Sequence, residues 1–261
     1  MRGDGTPRSA TDGRGFMSVR ELNVHLLPGL VEPAELAGRT VVVIDVLRAT
    51  TTVCHAVAAG AVGVVPCLEI DEARQKAGEI GAAAVLGGER KGLRIEGFAL
   101  GNSPTEYTRE TVGGRTVVFT TTNGTRALLR AADAAEVMIG AFVNLSAVVR
   151  ELLRSERVDL LCAGTFGKVT LEDALFAGAI VNAIADCESD ITLNDQARLA
   201  RDAWQTAKSS GRPLAGVLRE CQGGRNLIAE GFDADIDAAA IVDRFDFVPR
   251  YDPRLGRIVV R

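Results

Sequence analysis

The chain has 261 residues, 47% of them hydrophobic and 25% charged, with a formal net charge of −4. That length and apolar content suffice for one large α/β domain or two closely packed lobes. The negative charge argues against nonspecific nucleic-acid binding, and the lack of a run of about 18 apolar residues argues against a membrane span. The cysteines are odd in number and unclustered, which favours reduced thiols in the cytoplasm. They are Cys54, Cys67, Cys162, Cys187 and Cys221.

The first 18 residues differ in composition from the rest of the chain. They are rich in Gly, Arg, Asp, Ser and Thr, and they lack the apolar segment of a signal peptide. We therefore predict a disordered tail over residues 1–18, followed by a domain over residues 19–261. Met17 is an alternative start.

An apolar run over Val41–Ile44 is followed at once by charged and hydroxyl side chains. Such a run is typical of a buried parallel strand, and ligands bind beyond the carboxyl ends of such strands. Asp45 would lie there, and Arg48 offers a planar fork of donors to an anion. Three hydroxyls, Thr50, Thr51 and Thr52, start a predicted helix over 53–59, whose free N–H groups favour negative charge. The alternative is a capped turn in which Arg48 pairs with Asp45.

The next predicted elements are a strand over 61–68, a helix over 71–80 and a strand over 83–86. Right-handed crossovers would place these strands in one parallel sheet. The glycine-rich segment Gly87–Gly101 then mixes cations with carboxylates, among them Glu89 and Arg90. Its apolar residues Leu93, Ile95, Phe98 and Leu100 predict an ordered, packed cover over a site. Asn102 and Ser103 precede Pro104 as a turn or helix start, with Ser103 as N-cap.

Two further strand-to-loop segments resemble the first. A predicted strand over 115–120 leads into a second anion-receptive loop and a helix over 127–135; that loop contains Thr121, Thr122, Asn123, Gly124 and Thr125. After a strand over 136–139 and a helix over 145–154, a strand over 158–162 precedes Lys168 and a helix that Thr170 caps. Glu172 and Asp173 begin that helix, where they could also simply complement its dipole. Because parallel strands end at one edge of a sheet, we expect the three loops to converge.

The remainder of the chain changes character. A helix over 194–209 carries an apolar stripe, and we assign Trp204 on it to the core rather than to a ligand platform. That stripe comprises Ala197, Leu199, Ala200, Ala203, Trp204 and Ala207. Gly223-Gly224-Arg225 and Gly231-Phe232 are predicted turns. Two strands over 245–251 and 257–261 are predicted at a sheet edge, because Pro249 lacks a ladder donor.

These blocks, in this order over residues 40–180, resemble the 2-phosphosulfolactate phosphatase family, also called the ComB family. The segments that carry the resemblance are Ile44–Thr52, Gly88–Arg90, Gly97–Pro104, Thr120–Thr125 and Cys162–Thr165 with Glu172 and Asp173. The resemblance implies a three-layer α/β/α fold with a largely parallel sheet. It also implies a Mg²⁺-dependent phosphatase that converts 2-phosphosulfolactate to sulfolactate and phosphate, a step towards coenzyme M.

The residues themselves narrow the chemistry of phosphate-ester hydrolysis. An aspartyl-phosphate site of the haloacid-dehalogenase type needs a second acid two residues after its nucleophile, where this chain has Leu47. A cysteine phosphatase loop needs Arg six residues after the thiol, whereas Cys162 is followed there by Lys168, which lacks the bidentate fork. The two histidines, His25 and His55, favour structural roles, with His55 expected as a satisfied core imidazole.

Metal-assisted hydrolysis remains, and Mg²⁺ prefers carboxylate oxygens. Its predicted ligands are Asp45 with one or two of Glu89, Glu172 and Asp173. Arg48, Arg90 and Lys168 would neutralise the small anionic substrate, helped by the threonine loops, Asn102 and Ser103. A non-catalytic sensor of an anionic metabolite is the alternative, but carboxylates beside the arginines would repel its ligand. The physiological substrate, a homo-oligomeric state and a covalent intermediate all stay open at this point.

Overall fold

The structure is a computed structural model that describes residues 19–260; the tail predicted over residues 1–18, with Met17, lies outside the described residues. It confirms an α/β fold with a large, mostly parallel mixed sheet, consistent with three α/β/α layers. The strands are β1 Glu21–His25, β2 Thr40–Ile44, β3 Gly63–Pro66, β4 Ala84–Arg90, β5 Leu93–Arg94, β6 Thr116–Thr120, β7 Glu136–Gly140, β8 Arg157–Cys162, β9 Thr192–Leu193, β10 Arg250–Asp252 and β11 Arg257–Val259. The helices are α1 Pro33–Leu36, α2 Ala49–Ala58, α3 Ile70–Ile80, α4 Arg109–Val112, α5 Gly124–Arg130, α6 Leu145–Leu152, α7 Leu171–Ala185, α8 Asp195–Ser209, α9 Leu214–Glu220, α10 Gln222–Ala229 and α11 Asp233–Ala239.

The sheet consists of two parallel halves that run in opposite directions, with the short β5 added antiparallel to β4 at one edge. Its order is β5-β4-β6-β3-β11-β10-β7-β2-β8-β1-β9. Three successive antiparallel pairings, β3 with β11, β11 with β10 and β10 with β7, separate the halves. The prediction of a single parallel sheet with one common carboxyl edge is therefore wrong. The hairpin of β10 and β11 lies at the centre of the sheet and not at an edge. Pro249 is tolerated there because it precedes β10, so the ladder uses only its carbonyl, which accepts from the Ile139 N–H.

The ends of β2 and β6 nevertheless meet, because the helices that follow them begin side by side. Gly124 is the first residue of α5 and Ala49 the first residue of α2. A Cβ placed on Gly124 would lie 2.7 Å from the Ala49 Cβ and 2.9 Å from Asp45 Oδ2. Only glycine permits this approach, and it brings the two helix N-termini together next to Asp45.

Helix α7 lies between the sheet and α8, which explains its apolar character all round. A Cβ on Gly178 of α7 would lie 2.0 Å from the Ala200 carbonyl oxygen, so the two helices pack closely. Trp204 of α8 packs on this core with its ring 5.7 Å from that of Phe142, which confirms its assignment. Leu199, predicted on the same stripe, is instead 62% exposed.

The segment after α8 is more helical than the sequence pattern predicts. Gly223 and Gly224 lie in α10 and not in a turn. A Cβ on Gly224 would lie 2.0 Å from the Leu218 carbonyl oxygen, so these glycines permit α10 to pack tightly against α9. Across residues 19–260, no helix has the length and apolarity needed to cross a membrane.

Candidate active site

A cleft of about 510 Å³ lies where the loops after β2 and β6 meet the β4–β5 hairpin and α10. It brings together six of the residues predicted from sequence: Asp45, Arg48, Glu89, Asn102, Thr122 and Asn123. It also contains residues that the sequence reasoning missed as site residues: Leu47, Lys91, Gly92, Thr165, Phe166, Gly223, Asn226, Leu227 and Glu230. The loops therefore converge as predicted, although by a different sheet topology.

Asp45 follows β2 directly and is 8% exposed. Its Oδ1 accepts from the Ala49 N–H at 3.1 Å, at the start of α2. Its Oδ2 accepts no hydrogen bond from any residue in the described range and lies near the start of α5. Burial and the neighbouring charge of Asp173 raise the pKa of Asp45 to about 8. Asp45 thus has one oxygen without a hydrogen bond from the described residues, and that oxygen lies beside two helix N-termini.

Glu172 and Asp173, at the start of α7, are both buried beneath the cleft. Asp173 accepts from the Val46 N–H at 2.9 Å and from the Gly164 N–H at 3.0 Å, which ties the two loops together. Glu172 lies behind Gly223, and its Oε2 is buried with no partner in the described chain. Burial raises the pKa of Glu172 and of Asp173 to about 7, and the nearby carboxylates add to both shifts.

Glu89 is a carboxylate whose oxygens are already satisfied by the fold. Its Oε1 accepts from the Thr122 N–H at 2.7 Å, and its Oε2 accepts from the Gly92 N–H at 2.8 Å. The Thr122 hydroxyl donates a third bond at 3.2 Å. Glu89 therefore connects the β4–β5 hairpin to the loop after β6.

Arg48 is held by residues far away in the chain. Its Nη1 donates to Asp235 Oδ2 at 2.7 Å and its Nη2 donates to the Gly92 carbonyl at 2.7 Å. The guanidinium carbon lies 4.5 Å from the centre of the Phe232 ring, and Ser103 donates to the other oxygen of Asp235. The alternative that Arg48 pairs with Asp45 is wrong, because its partner is the buried Asp235.

Most of the predicted hydroxyls brace the loops. Thr50, Thr51 and Thr52 donate to the carbonyls of Asp45, Val46 and Asn102, respectively. Thr121 and Thr125 bond to each other across the start of α5, beside Gly124. Asn123 accepts from the Phe166 N–H at 3.2 Å. In this geometry the threonines shape the cleft and do not themselves point donors into it.

Arg90 and Lys168 are not among the residues that line the cleft. Side chains alternate along a strand, so Glu89 faces the cleft and Arg90 faces away from it. Arg90 donates to the Leu68 carbonyl at 2.6 Å and to Thr120 Oγ1 at 2.9 Å. Lys168 is exposed on the tight turn that carries Phe166. Of the predicted cover, Ile95, Phe98 and Leu100 are buried, but Leu93 is 56% exposed.

Thiol and imidazole chemistry receive no support from the described residues. Cys162 is buried, and burial raises the pKa of its thiol well above the ordinary value. His55 packs edge-on against Phe245 at 5.1 Å between ring centres, and burial lowers its pKa to about 4. Its Nε2 has no partner in the described chain, so the expectation of a satisfied imidazole is wrong. His25 contacts Asp159 at 2.8 Å.

The donor atoms of the cleft fit a sparsely ligated hard cation. Among residues 19–260, no three Asp, Glu, His or Cys side chains already form a metal-binding group. Mg²⁺ commonly uses only one or two carboxylates, together with water and substrate oxygens. Asp45 offers its unshared Oδ2, and Asn102 Oδ1 is buried without a partner in the part of the chain described. Both residues line the cleft, so the acceptors suit Mg²⁺ in type and number.

Buried carboxylates beside helix N-termini in an α/β cleft are compatible with an enzyme that acts on phosphate esters. A family model described as 2-phosphosulpholactate phosphatase matches residues 25–254. The chain belongs to the 2-phosphosulfolactate phosphatase family.

Curated relatives agree with this assignment. A protein from Symbiobacterium thermophilum is 46% identical over 233 residues, covering 88% of this chain and 98% of that protein. Proteins from Carboxydothermus hydrogenoformans and Clostridium acetobutylicum are 37% and 35% identical. The first of these two alignments covers 92% of this chain and 97% of the relative, and the second covers 85% and 93%. Each relative is named a probable 2-phosphosulfolactate phosphatase.

Proposed function

We propose that this chain is a Mg²⁺-dependent phosphatase that hydrolyses 2-phosphosulfolactate, or a related small phosphorylated hydroxy acid, to sulfolactate and phosphate. The observation that carries the proposal is Asp45, a buried carboxylate with an unshared oxygen beside two helix N-termini. The names of the relatives supply the substrate. The proposal includes a place on the route to coenzyme M and a cytoplasmic setting, for which the free cysteines are the support.

Asp45 and Asn102 would hold the metal, and Glu172, which lies behind Gly223, would be a further candidate ligand. When bound, Mg²⁺ supplies charge stabilisation for the phosphoryl oxygens and activation of a water molecule. Among the residues of the chain, the positive dipole ends of α2 and α5 favour the negative phosphoryl group. The Ala49 N–H orients the Asp45 carboxylate, and Glu89 and Asp173 hold the surrounding loops. The chain thus contributes a preorganised acidic cleft, and its positioned donors do not have to rearrange as charge develops.

The test is phosphate release from 2-phosphosulfolactate, 2-phospholactate and phosphoglycolate, each assayed with Mg²⁺ and with excess chelator. We expect turnover of the sulfonated compound with Mg²⁺ and its loss with chelator. Undiminished turnover in excess chelator contradicts the proposal that the activity requires Mg²⁺. Tight binding of the compounds without any phosphate release would favour the sensor alternative.

A further inference from the structure

The β4–β5 hairpin turns through two residues in the left-handed region, Lys91 at φ +55° and Gly92 at φ +83°. Two-residue hairpin turns with both residues left-handed favour Asn, Asp or Gly at the first position. Lysine has no such preference, so the turn itself does not account for Lys91. Because residues in strained backbone conformations cluster at functional sites, the Lys91 side chain is a candidate for a functional role.

The hairpin is fixed in place by two charged residues of the cleft. The Gly92 N–H donates to Glu89 Oε2 at 2.8 Å, and the Gly92 carbonyl accepts from Arg48 Nη2 at 2.7 Å. A Cβ on Gly92 would lie 2.0 Å from Glu230 Oε2, so α10 and the residue after it close over this glycine. Several elements therefore hold the backbone beside Lys91 in place, and Lys91 itself lines the cleft.

Lys91 supplies the uncommitted positive charge of the cleft. Within the described residues that line it, the cationic side chains are Arg48 and Lys91. Arg48 is 4% exposed and paired with Asp235. Lys91 is exposed and makes no side-chain hydrogen bond or ion pair with any residue in the described range. An anionic substrate that enters this cleft meets one ammonium group free to bind it.

We propose that Lys91 binds the sulfonate of the substrate, while the phosphoryl group lies at the buried Asp45 end of the cleft. This inference rests on the proposed function. The helix N-termini and the unshared oxygen of Asp45 are at the buried end, whereas Lys91 is on the exposed rim. The sulfonate is the anionic group furthest from phosphorus along the molecule. Its three equivalent oxygens suit the compact, rotatable donors of an ammonium group, whereas a flat carboxylate suits a guanidinium fork.

The first experiment compares Lys91→Asn with wild type on 2-phosphosulfolactate and on 2-phospholactate, which has a methyl group in place of the sulfonated carbon. Asparagine fits the left-handed turn, so the variant should keep or raise the midpoint of thermal unfolding. We expect KM for the sulfonated compound to rise about tenfold or more, as loss of one charge-assisted contact predicts. KM for 2-phospholactate and kcat for both compounds should change less than about threefold.

Two further variants sharpen the result. Lys208→Ala removes an exposed charge from α8, outside the cleft, and should leave both KM values unchanged. Lys91→Arg keeps the charge and should retain most of the affinity for the sulfonated compound. An unchanged KM in Lys91→Asn, or an equal rise for both compounds, overturns the assignment to the sulfonate. A wild-type protein that hydrolyses neither compound contradicts the proposed function itself, and the inference falls with it.

Discussion

The two sides of the cleft differ in how their charges are balanced. On the side of β2 and α7, Asp45 accepts a hydrogen bond only on Oδ1, and Glu172 Oε2 is buried without a partner in the described chain. Both residues have raised pKa values. On the side of the β4–β5 hairpin, Glu89 accepts three hydrogen bonds, and Lys91 adds a free positive charge. The first side therefore offers acceptor oxygens that suit a cation, whereas the second side offers a positive charge that suits an anion.

This difference separates two tasks that one acidic cleft has to perform. Buried carboxylates with unmatched charge destabilise the fold by themselves, and they are retained where a ligand supplies the missing charge. Carboxylates whose oxygens all accept hydrogen bonds from the protein, such as Glu89, hold loops in place. Variants on the two sides should consequently differ in kind as well as in size.

The largest effect should come from Asp45→Asn. The amide can still accept from the Ala49 N–H, so the fold should persist, but the hard anionic ligand is lost. We expect phosphatase activity to fall to background while the circular dichroism spectrum stays native. The exposed Asp202 of α8 offers a matched control, since Asp202→Asn should leave turnover unchanged. Substantial activity in Asp45→Asn would remove Asp45 from the chemistry.

The buried ion pair beneath the hairpin gives the next effect. Asp235→Ala leaves the Arg48 guanidinium buried without its carboxylate, which should lower the free energy of unfolding by about 3–5 kcal/mol. Asp237→Ala, on the same helix, breaks an exposed pair with Arg219 and should cost less than about 1 kcal/mol. Chemical denaturation of both variants measures the contrast. Equal losses would show that Arg48 does not depend on Asp235.

Arg48 lines the cleft and Arg90 does not, so variants of the two arginines should differ in their effect on activity. Arg48→Lys loses the fork that joins Asp235 to the Gly92 carbonyl, and kcat/KM should fall more than about tenfold. The sequence pattern predicts the same for Arg90→Lys. Because Arg90 faces away from the cleft, we now expect its loss to stay within about threefold. Steady-state kinetics of the two variants decide the matter, and a larger loss for Arg90→Lys would reverse the placement.

The pH dependence of stability tests the unmatched charge directly. A carboxyl group with a raised folded-state pKa stabilises the fold below its ordinary pKa, and this contribution is lost as pH rises through the folded-state value. For Asp45, Glu172 and Asp173 the window runs from about pH 4 to about pH 8. Metal-free wild type should therefore lose thermal stability across it, and Asp45→Asn should unfold at a higher temperature than wild type at pH 8. Added Mg²⁺ should stabilise wild type more than the variant, and a flat wild-type profile contradicts the charge surplus.

The smallest effect is expected from Cys162→Ser. The thiol is buried at the end of β8 with a raised pKa, so it is a poor nucleophile. The variant should retain most of its activity, and alkylating agents should inhibit wild type poorly when substrate is present. Complete inactivation with a native fold would favour a thiol mechanism over the metal.

The sequence predicts features that depend on local pattern and fails on those that depend on distant contacts. The strand before Asp45 and the convergent loops follow from apolar runs that end in charged or hydroxyl residues. Asp235 is 187 residues from Arg48, and no local pattern links them. Lys91 carried only a weak local signal, the glycine that follows it, because Lys-Gly is not one of the dipeptides that favour a two-residue hairpin turn. The outward direction of Arg90 also follows from strand alternation once β4 is extended to include it.

The central position of the β10–β11 hairpin has a consequence for how the molecule is made. Of all the strands described, these two leave the ribosome last, yet they join the halves of the sheet. Until residues 250–259 have emerged, the edges of β3 and β7 stay open, and open edges invite pairing with other chains. A nascent chain that stops short of them carries two half-sheets. Since each half supplies one wall of the cleft, the last hairpin to be synthesised also joins the two walls of the candidate site.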